Sequence, residues 1–235
     1  MELSRLPVEA VIFDLDGTLA HFNLDFKTMR GEVRSYLIHM GVPASVLSVN
    51  ESIFNMLNKV EIYKKNNAKT NHKNLESLEE LRNGALSIAE KYELEAAATT
   101  SLLPGAIEVL KELKGMGIKL ALCTTSSEKA SSKVLRGFKI DGFFEVAVSR
   151  NQVKRVKPST EQYEAALAAI KATPQTAVIV GDSVVDMQSA KELKVIAVGV
   201  PTGMSTIEQL EQNGANYIIT TLSDLPALIS EINRA

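Results

Sequence analysis

Asp14 and Asp16 stand one residue apart at the end of a short apolar run, AVIFDLDGTL at 10–19. Two carboxylates at that spacing suit chemistry at phosphorus. One can attack the phosphorus atom and carry it as an aspartyl phosphate. The other can protonate the leaving oxygen, then take a proton from the water that cleaves the intermediate. Gly17 permits a tight turn and close backbone approach, and Thr18 offers a hydroxyl to fix the loop. A third carboxylate, Asp182, follows the apolar run AVIVG, and the hydroxyls of Thr124, Thr125 and Ser126 follow LALC. Clustered carboxylates raise one another's pKa unless a cation lies among them. A hard divalent ion such as Mg²⁺ takes oxygen ligands and shares them with substrate phosphate.

These residues need elements that bring them together. Val8 to Phe13 reads as a strand buried on both faces. From Leu103 onward strands alternate with helices: PGAIEVLKELKGMG, IKLALCT, SEKASSKVLRGF, FFEVAV, STEQYEAALAAIKA, TAVIVGD, VVDMQSAKELK and VIAVGV. A helix, the strand NYIIT and a last helix from Ser223 close the chain. The alternation implies βαβ units on a parallel sheet. The right-handed crossover rule then favours a doubly wound, three-layer, Rossmann-like α/β domain. Ligands of such sheets bind beyond the carboxyl ends of the strands. Asp14, Asp16, Thr124, Thr125, Ser126, Asp182, Gly199, Pro201 and Thr202 are therefore expected at one end of the sheet.

From about 20 to 100 the chain is polar and helix-like, with no convincing strand. FKTMRGEVRSYLIHMG reads as a helix closed by Gly41, and NLESLEELRNGALSIAEKYELEAA as a longer one. The stretch between them, KVEIYKKNNAKTNHK, is rich in Lys and Asn and reads as including a loop. The expected organisation is a core of 1–20 and 101–235, interrupted by an inserted α-helical domain over 21–100.

Composition narrows the function class. The 235 residues are 45% hydrophobic and 23% charged, which supplies a real core. A net charge of −2 gives no support for nucleic-acid binding. Cys123 is the only cysteine, so an intramolecular disulfide is impossible, which suits a reducing compartment. MELSRLPVEA lacks an apolar signal core, and no apolar run approaches the roughly 20 residues that span a bilayer. A cytoplasmic protein, monomer or dimer, without membrane or nucleic-acid partners is expected.

The motifs together resemble the haloacid dehalogenase superfamily. DLDGTL at 14–19 is similar to its first motif, Asp-x-Asp-x-Thr, and Thr124 at a strand end to its second. Lys157 in VKRVKPSTEQY resembles the third, and GDSVVD at 181–186 the fourth. The order is right, and the match spans nearly the whole chain. The resemblance implies Asp14 as nucleophile and Asp16 as general acid/base. It implies Mg²⁺ held by the Asp14 carboxylate, the Asp16 backbone carbonyl and Asp182, with Asp186 supporting the metal through water or hydrogen bonds. It gives Thr124 and nearby backbone N–H groups, Thr125 included, the transferring phosphoryl group, and Lys157 the charge on nucleophile and phosphoryl oxygens. The inserted segment matches the position of a helical cap. Asp16 favours P–O chemistry over dehalogenation or phosphonate cleavage, and the C-terminal third looks most like the phosphoglycolate phosphatase group. Two departures stand out: Lys157-Pro158-Ser159-Thr160-Glu161 where Lys-Pro-x-Pro-Asp/Glu is usual, and Thr125 where Asn is usual.

Plainer readings compete at each position. Strand-end aspartates cap turns, Asp186 suits a helix start by its charge alone, and Thr124 is an ordinary strand-end residue. Lys157 is singled out from Lys154 and Arg155 by its proline neighbour, and Cys123 reads as a small buried hydrophobe. Lys59, Lys64, Lys65, Lys69 and Lys73 read as a solvated face or, more sharply, as a surface attracting an anionic substrate. Arg30 and Arg34, four apart on one helix face, are candidates to touch substrate, and His21 and Phe22 line either the site or the hinge. The expected function is a Mg²⁺-dependent phosphatase of a small phosphorylated metabolite, phosphoglycolate-like or a sugar phosphate. The rivals are a phosphomutase of the β-phosphoglucomutase type and a binding protein on the same scaffold.

Overall fold

The computed structural model describes residues 6–21, 23–67 and 77–234. Phe22, Lys69 and Lys73 lie outside the described residues. Two compact units emerge: one is built from the residues up to Asn23 and from Ala97 onward, the other is Leu24–Ala96.

The first unit is a three-layer α/β domain. Its strands are β1 (Ala10–Phe13), β2 (Lys119–Cys123), β3 (Val146–Val148), β4 (Ala177–Gly181), β5 (Ile196–Gly199) and β6 (Tyr217–Ile218). All neighbours pair in parallel, in the order β3-β2-β1-β4-β5-β6. The two-residue side-chain period divides each strand between two cores. Val11, Phe13, Leu120, Leu122, Val178 and Val180 pack on one face with α4 (Ala106–Gly115) and α9 (Leu225–Ile232). Ala10, Ile12, Ala121, Cys123, Ala177 and Ile179 pack on the other with α6 (Glu161–Ile170) and α7 (Val184–Leu193). Burial on both faces explains why these strands are short continuous apolar runs rather than alternating ones. The remaining helices of this unit are α5 (Glu128–Gly137) and α8 (Ile207–Gln212).

The sheet order reverses direction around β1. Its neighbours β2 and β4 lead outward on opposite sides, so the loops after these three strands open a crevice at their carboxyl ends. Beyond β1, backbone bonds join the departing chain to the returning one, Leu103 N to Leu19 O at 2.9 Å and His21 N to Ser101 O at 2.8 Å. The departing and returning segments thus run side by side.

The second unit is helical: α1 (Phe26–His39), α2 (Ile53–Asn67) and α3 (Leu78–Thr99, entering the first unit at its end). Met29, Val33 and Leu37 form the buried stripe of α1, capped by Asp25 accepting from Thr28 N at 3.0 Å. α2 takes in the first part of the Lys/Asn stretch, as far as Asn67, and the rest of it, where a loop is expected, lies outside the described residues. Ile53, Met56, Leu57 and Val60 anchor that helix in the unit's core, and its lysines are solvated or paired. Lys59 meets Glu51 at 2.6 Å, and Lys65 meets Glu61 one turn back at 2.5 Å. Among the described residues no helix is long and apolar enough to cross a membrane.

Candidate active site

Asp14 continues the ladder of β1 by one bond, its N–H donating to Val180 O at 2.9 Å, and then the chain turns away. Its carboxylate is therefore fixed at the strand tip, only 6% exposed. Thr124 extends β2 in the same way, with its N–H on Val148 O at 3.0 Å. Asp182 follows β4 directly. Lys157 comes from the loop before α6, where its backbone N–H donates to Gln162 Oε1 at 3.1 Å. Gln162 Nε2 in turn donates to Thr124 O at 2.7 Å, so one buried amide ties the lysine loop to the tip of β2.

The Lys157 ammonium spends all its donors inside the protein. It reaches Asp14 Oδ1 at 2.5 Å, Asp186 Oδ1 at 2.7 Å and Cys123 O at 3.1 Å. No hydrogen bond from a described residue falls on Asp14 Oδ2, which leaves that oxygen open. Asp186, in the first turn of α7, is fully buried and saturated. Its Oδ1 also accepts Tyr163 OH at 2.6 Å, and its Oδ2 accepts Ser183 Oγ at 2.5 Å and Ser183 N at 3.3 Å. Asp182 is held by Met204 N on Oδ2 at 2.9 Å and more weakly by Thr18 Oγ1 on Oδ1 at 3.4 Å.

Asp14, Asp182 and Asp186 bring carboxylate oxygens within 4.8 Å of one another. One ammonium, Lys157, faces these three acids, so with all three ionised the buried cluster would carry two negative charges in surplus. Burial, with the neighbouring Asp186, Asp182 and Asp16, pushes Asp14 up against the pull of Lys157. Burial and then Asp186 push Asp182 up to about 6. Burial alone would strip the proton from Lys157, but Asp14 and Asp186 outweigh it and keep the ammonium. Burial likewise pushes the Cys123 and Tyr163 groups up, so both stay protonated. A set of hard oxygens with surplus negative charge fits a divalent cation.

Asp16 stands apart from the acid cluster: its Oδ2 accepts Ser126 Oγ at 2.7 Å. Thr124 Oγ1 accepts Ser126 N at 3.0 Å, leaving its own hydroxyl proton to donate elsewhere, and Thr125 O accepts Arg150 Nη1 at 3.3 Å. In the helical unit, Arg34 spends its guanidinium on carbonyls, with Nε on Leu47 O and Nη2 on Ala44 O, each at 3.3 Å. Arg30 stacks over Phe26 at 5.1 Å and keeps a buried Nε without a partner among the described residues. Gln162, Tyr163, Ser183 and Met204 join the site without being singled out by the sequence. Ser126, one of the hydroxyls expected after β2, reaches Asp16.

The family model of the haloacid dehalogenase-like hydrolases matches residues 8–194. Among curated relatives, pyrophosphatase PpaX of Bacillus mycoides (strain KBAB4) is 27% identical over 232 residues, covering 97% of this chain and all of its own. Among solved structures, a hydrolase from Pseudomonas syringae aligns with a TM-score of 0.67 at 25% identity, covering 96% of this chain and 99% of its own. One described as a predicted phosphoglycolate phosphatase from Haemophilus somnus 129PT aligns at 0.65 with 20% identity, covering 94% and 97%.

Proposed function

Because the chain belongs to the haloacid dehalogenase-like hydrolases, we propose that it is a divalent-metal-dependent phosphatase of a small phosphorylated metabolite, working through an aspartyl phosphate on Asp14. The observation that carries this reading is the asymmetry of Asp14. Lys157 holds one oxygen while the other stands open in a cluster with surplus negative charge. Asp14 and Asp182, with the Asp16 main-chain carbonyl, would hold an ion such as Mg²⁺, which when bound offsets phosphoryl charge and favours in-line attack.

The protein's own groups then have distinct tasks. Asp14 Oδ2 attacks phosphorus, and the bond from phosphorus to the leaving oxygen breaks as Asp16 supplies that oxygen with a proton. Water next attacks the phosphorus of phospho-Asp14, gives its proton to Asp16, and inorganic phosphate leaves with the Asp14 carboxylate restored. Thr124 donates its free hydroxyl proton to a phosphoryl oxygen. Lys157 gives up its longest bond, to the Cys123 carbonyl, to meet phosphoryl charge. Saturation of both Asp186 oxygens supports reading Asp186 as the bracket of Lys157 rather than as a metal ligand. In the helical unit, Arg30, with an unengaged N–H, is a better candidate to touch substrate than Arg34, whose guanidinium is engaged by carbonyls. Phosphate release should be measured with Mg²⁺ over a panel including phosphoglycolate, sugar phosphates, pyrophosphate and an aryl phosphate. No release from any of them would overturn the reading.

The cluster also predicts how metal and proton compete. Asp182 ligates only as a carboxylate, and its proton comes off near pH 6. A raised folded pKa means the folded protein binds that proton more tightly than the unfolded chain does. Without metal, its contribution therefore declines as pH rises from the ordinary carboxylate value of 3.8 to about 6 and is flat above. Millimolar Mg²⁺ should raise the thermal midpoint at pH 7.5 and do so much less at pH 5. An equal rise at both pH values would remove Asp182 from the metal site.

Asp16 should separate the two chemical steps. In Asp16→Ala an alkyl phosphate needs a proton on its leaving oxygen and should stall before the intermediate. An aryl phosphate needs little protonation, so its first step should partly recover while hydrolysis stays slow by about 10²–10⁴-fold. Rapid cold acid quench should then trap phosphate on the protein with the aryl substrate only. Equal loss of the first step with both substrates would show that Asp16 is not the acid.

A further inference from the structure

The loop after β5 makes contacts that the steps above do not use. Asp182 lies between two glycines from opposite ends of the chain. A Cβ built on Gly203 would stand 1.9 Å from Asp182 Oδ2, and one on Gly17 would stand 2.6 Å from the same atom. Gly17 also has φ +89°, which strains any residue with a side chain. The next residue in the loop, Met204, donates its N–H to Asp182 Oδ2 at 2.9 Å. One side chain closes the arrangement: Thr202 Oγ1 donates to Gly17 O at 2.6 Å, bridging loops 185 residues apart in sequence. Thr202, Gly203 and Met204 are all exposed, so none of these contacts is needed to fill a core.

We infer that the loop from Thr202 to Met204 is a clamp that sets metal affinity by locking Asp182 against the nucleophile loop, with Thr202 and Gly203 as its positioning residues. The inference rests on reading Asp182 as a metal ligand. The Thr202 bond fixes the distance between the two loops, and the Gly203–Met204 peptide fixes the carboxylate between them. A ligand oxygen free to rotate binds a hard cation less well than one already aimed. Loss of such supporting contacts weakens metal sites by about tenfold or more.

The test is calorimetric titration of the full chain with Mg²⁺ and with Mn²⁺, without substrate. Thr202→Val removes only the hydroxyl and should weaken Kd about tenfold. Its midpoint in EDTA should stay close to that of the parent, because the site is exposed. Thr202→Ser keeps the donor and should restore parental affinity, a pattern that a general packing defect would not give. Gly203→Ala, which must move either Asp182 or the loop that holds it, should weaken Kd at least as much, and it reads the loop independently should the valine variant fail to fold. Parental binding with Kd unchanged within about twofold in both variants would overturn the clamp alone. A parent that binds neither ion would instead overturn the metal reading of Asp182 and the clamp with it.

Discussion

Lys157→Met should cost the protein about 3–5 kcal/mol of stability, in EDTA at neutral pH, besides disabling it. Methionine matches the length of the lysine stem but carries no charge and no donor. Asp14 and Asp186 would lose their shared ammonium while staying buried, which is the expensive way to break a buried ion pair. For a chain of this size each kcal/mol moves the midpoint by roughly 2–4 °C, so a fall of about 10 °C is expected by circular dichroism. The origin of the loss can be isolated. Adding Asp186→Asn to Lys157→Met removes one of the two orphaned charges and should recover part of the fall. Asp186→Asn alone should destabilise, because Lys157, Tyr163 and Ser183 all donate to that carboxylate. Opposite signs for one substitution in two backgrounds are the mark of direct coupling. An unchanged midpoint in Lys157→Met would show that these charges are not held together in a dry site.

The sequence displayed the sheet because strands buried on both faces are continuous apolar runs, and AVIF, LALC and AVIVG are hard to read otherwise. Convergence of Asp14, Thr124 and Asp182 followed from a parallel sheet with its ligands at the carboxyl ends. Other parts were illegible for identifiable reasons. The apolar stripe of α2 is only Ile53, Met56, Leu57 and Val60, and a Lys/Asn run follows it, so composition concealed a helix that tertiary packing supports. Tyr163 and Gln162 stand in EQYEAALAAI, where the helical period marks a core face but not what a hydroxyl or an amide meets across the sheet. Gly203 reads as an ordinary loop glycine, since the neighbour that forbids a Cβ there is twenty-one positions back in sequence. Arg30 and Arg34 share a helix face by spacing, but only the fold shows that carbonyls 44 and 47 engage one of them.

Asp14→Asn should leave the fold in place and reduce turnover at least about 10⁴-fold, which corresponds to about 5.5 kcal/mol of barrier. The substitution is nearly isosteric, and the amide oxygen can accept from Lys157 where Oδ1 does now. The backbone bond from residue 14 to Val180 O is unaffected, so the side chain keeps its place at the tip of β1. What changes is the open position. An amide NH₂ in place of Oδ2 is a donor without nucleophilic character, and it repels the cation that the cluster's surplus charge would otherwise attract. Stability in EDTA should change little, because losing the attraction to Lys157 is offset by relief from Asp186 and Asp182. The thermal midpoint checks this, and it separates a chemical defect from a folding one. Acid-quench trapping with an aryl phosphate should find no protein-bound phosphate in Asp14→Asn, alone or combined with Asp16→Ala, whereas Asp16→Ala by itself accumulates it. A residual rate above about a tenth of the parent's is a barrier change of only about 1.4 kcal/mol, too small for a lost nucleophile. That outcome, or phosphate still bound covalently to the protein, would move the nucleophile to another residue.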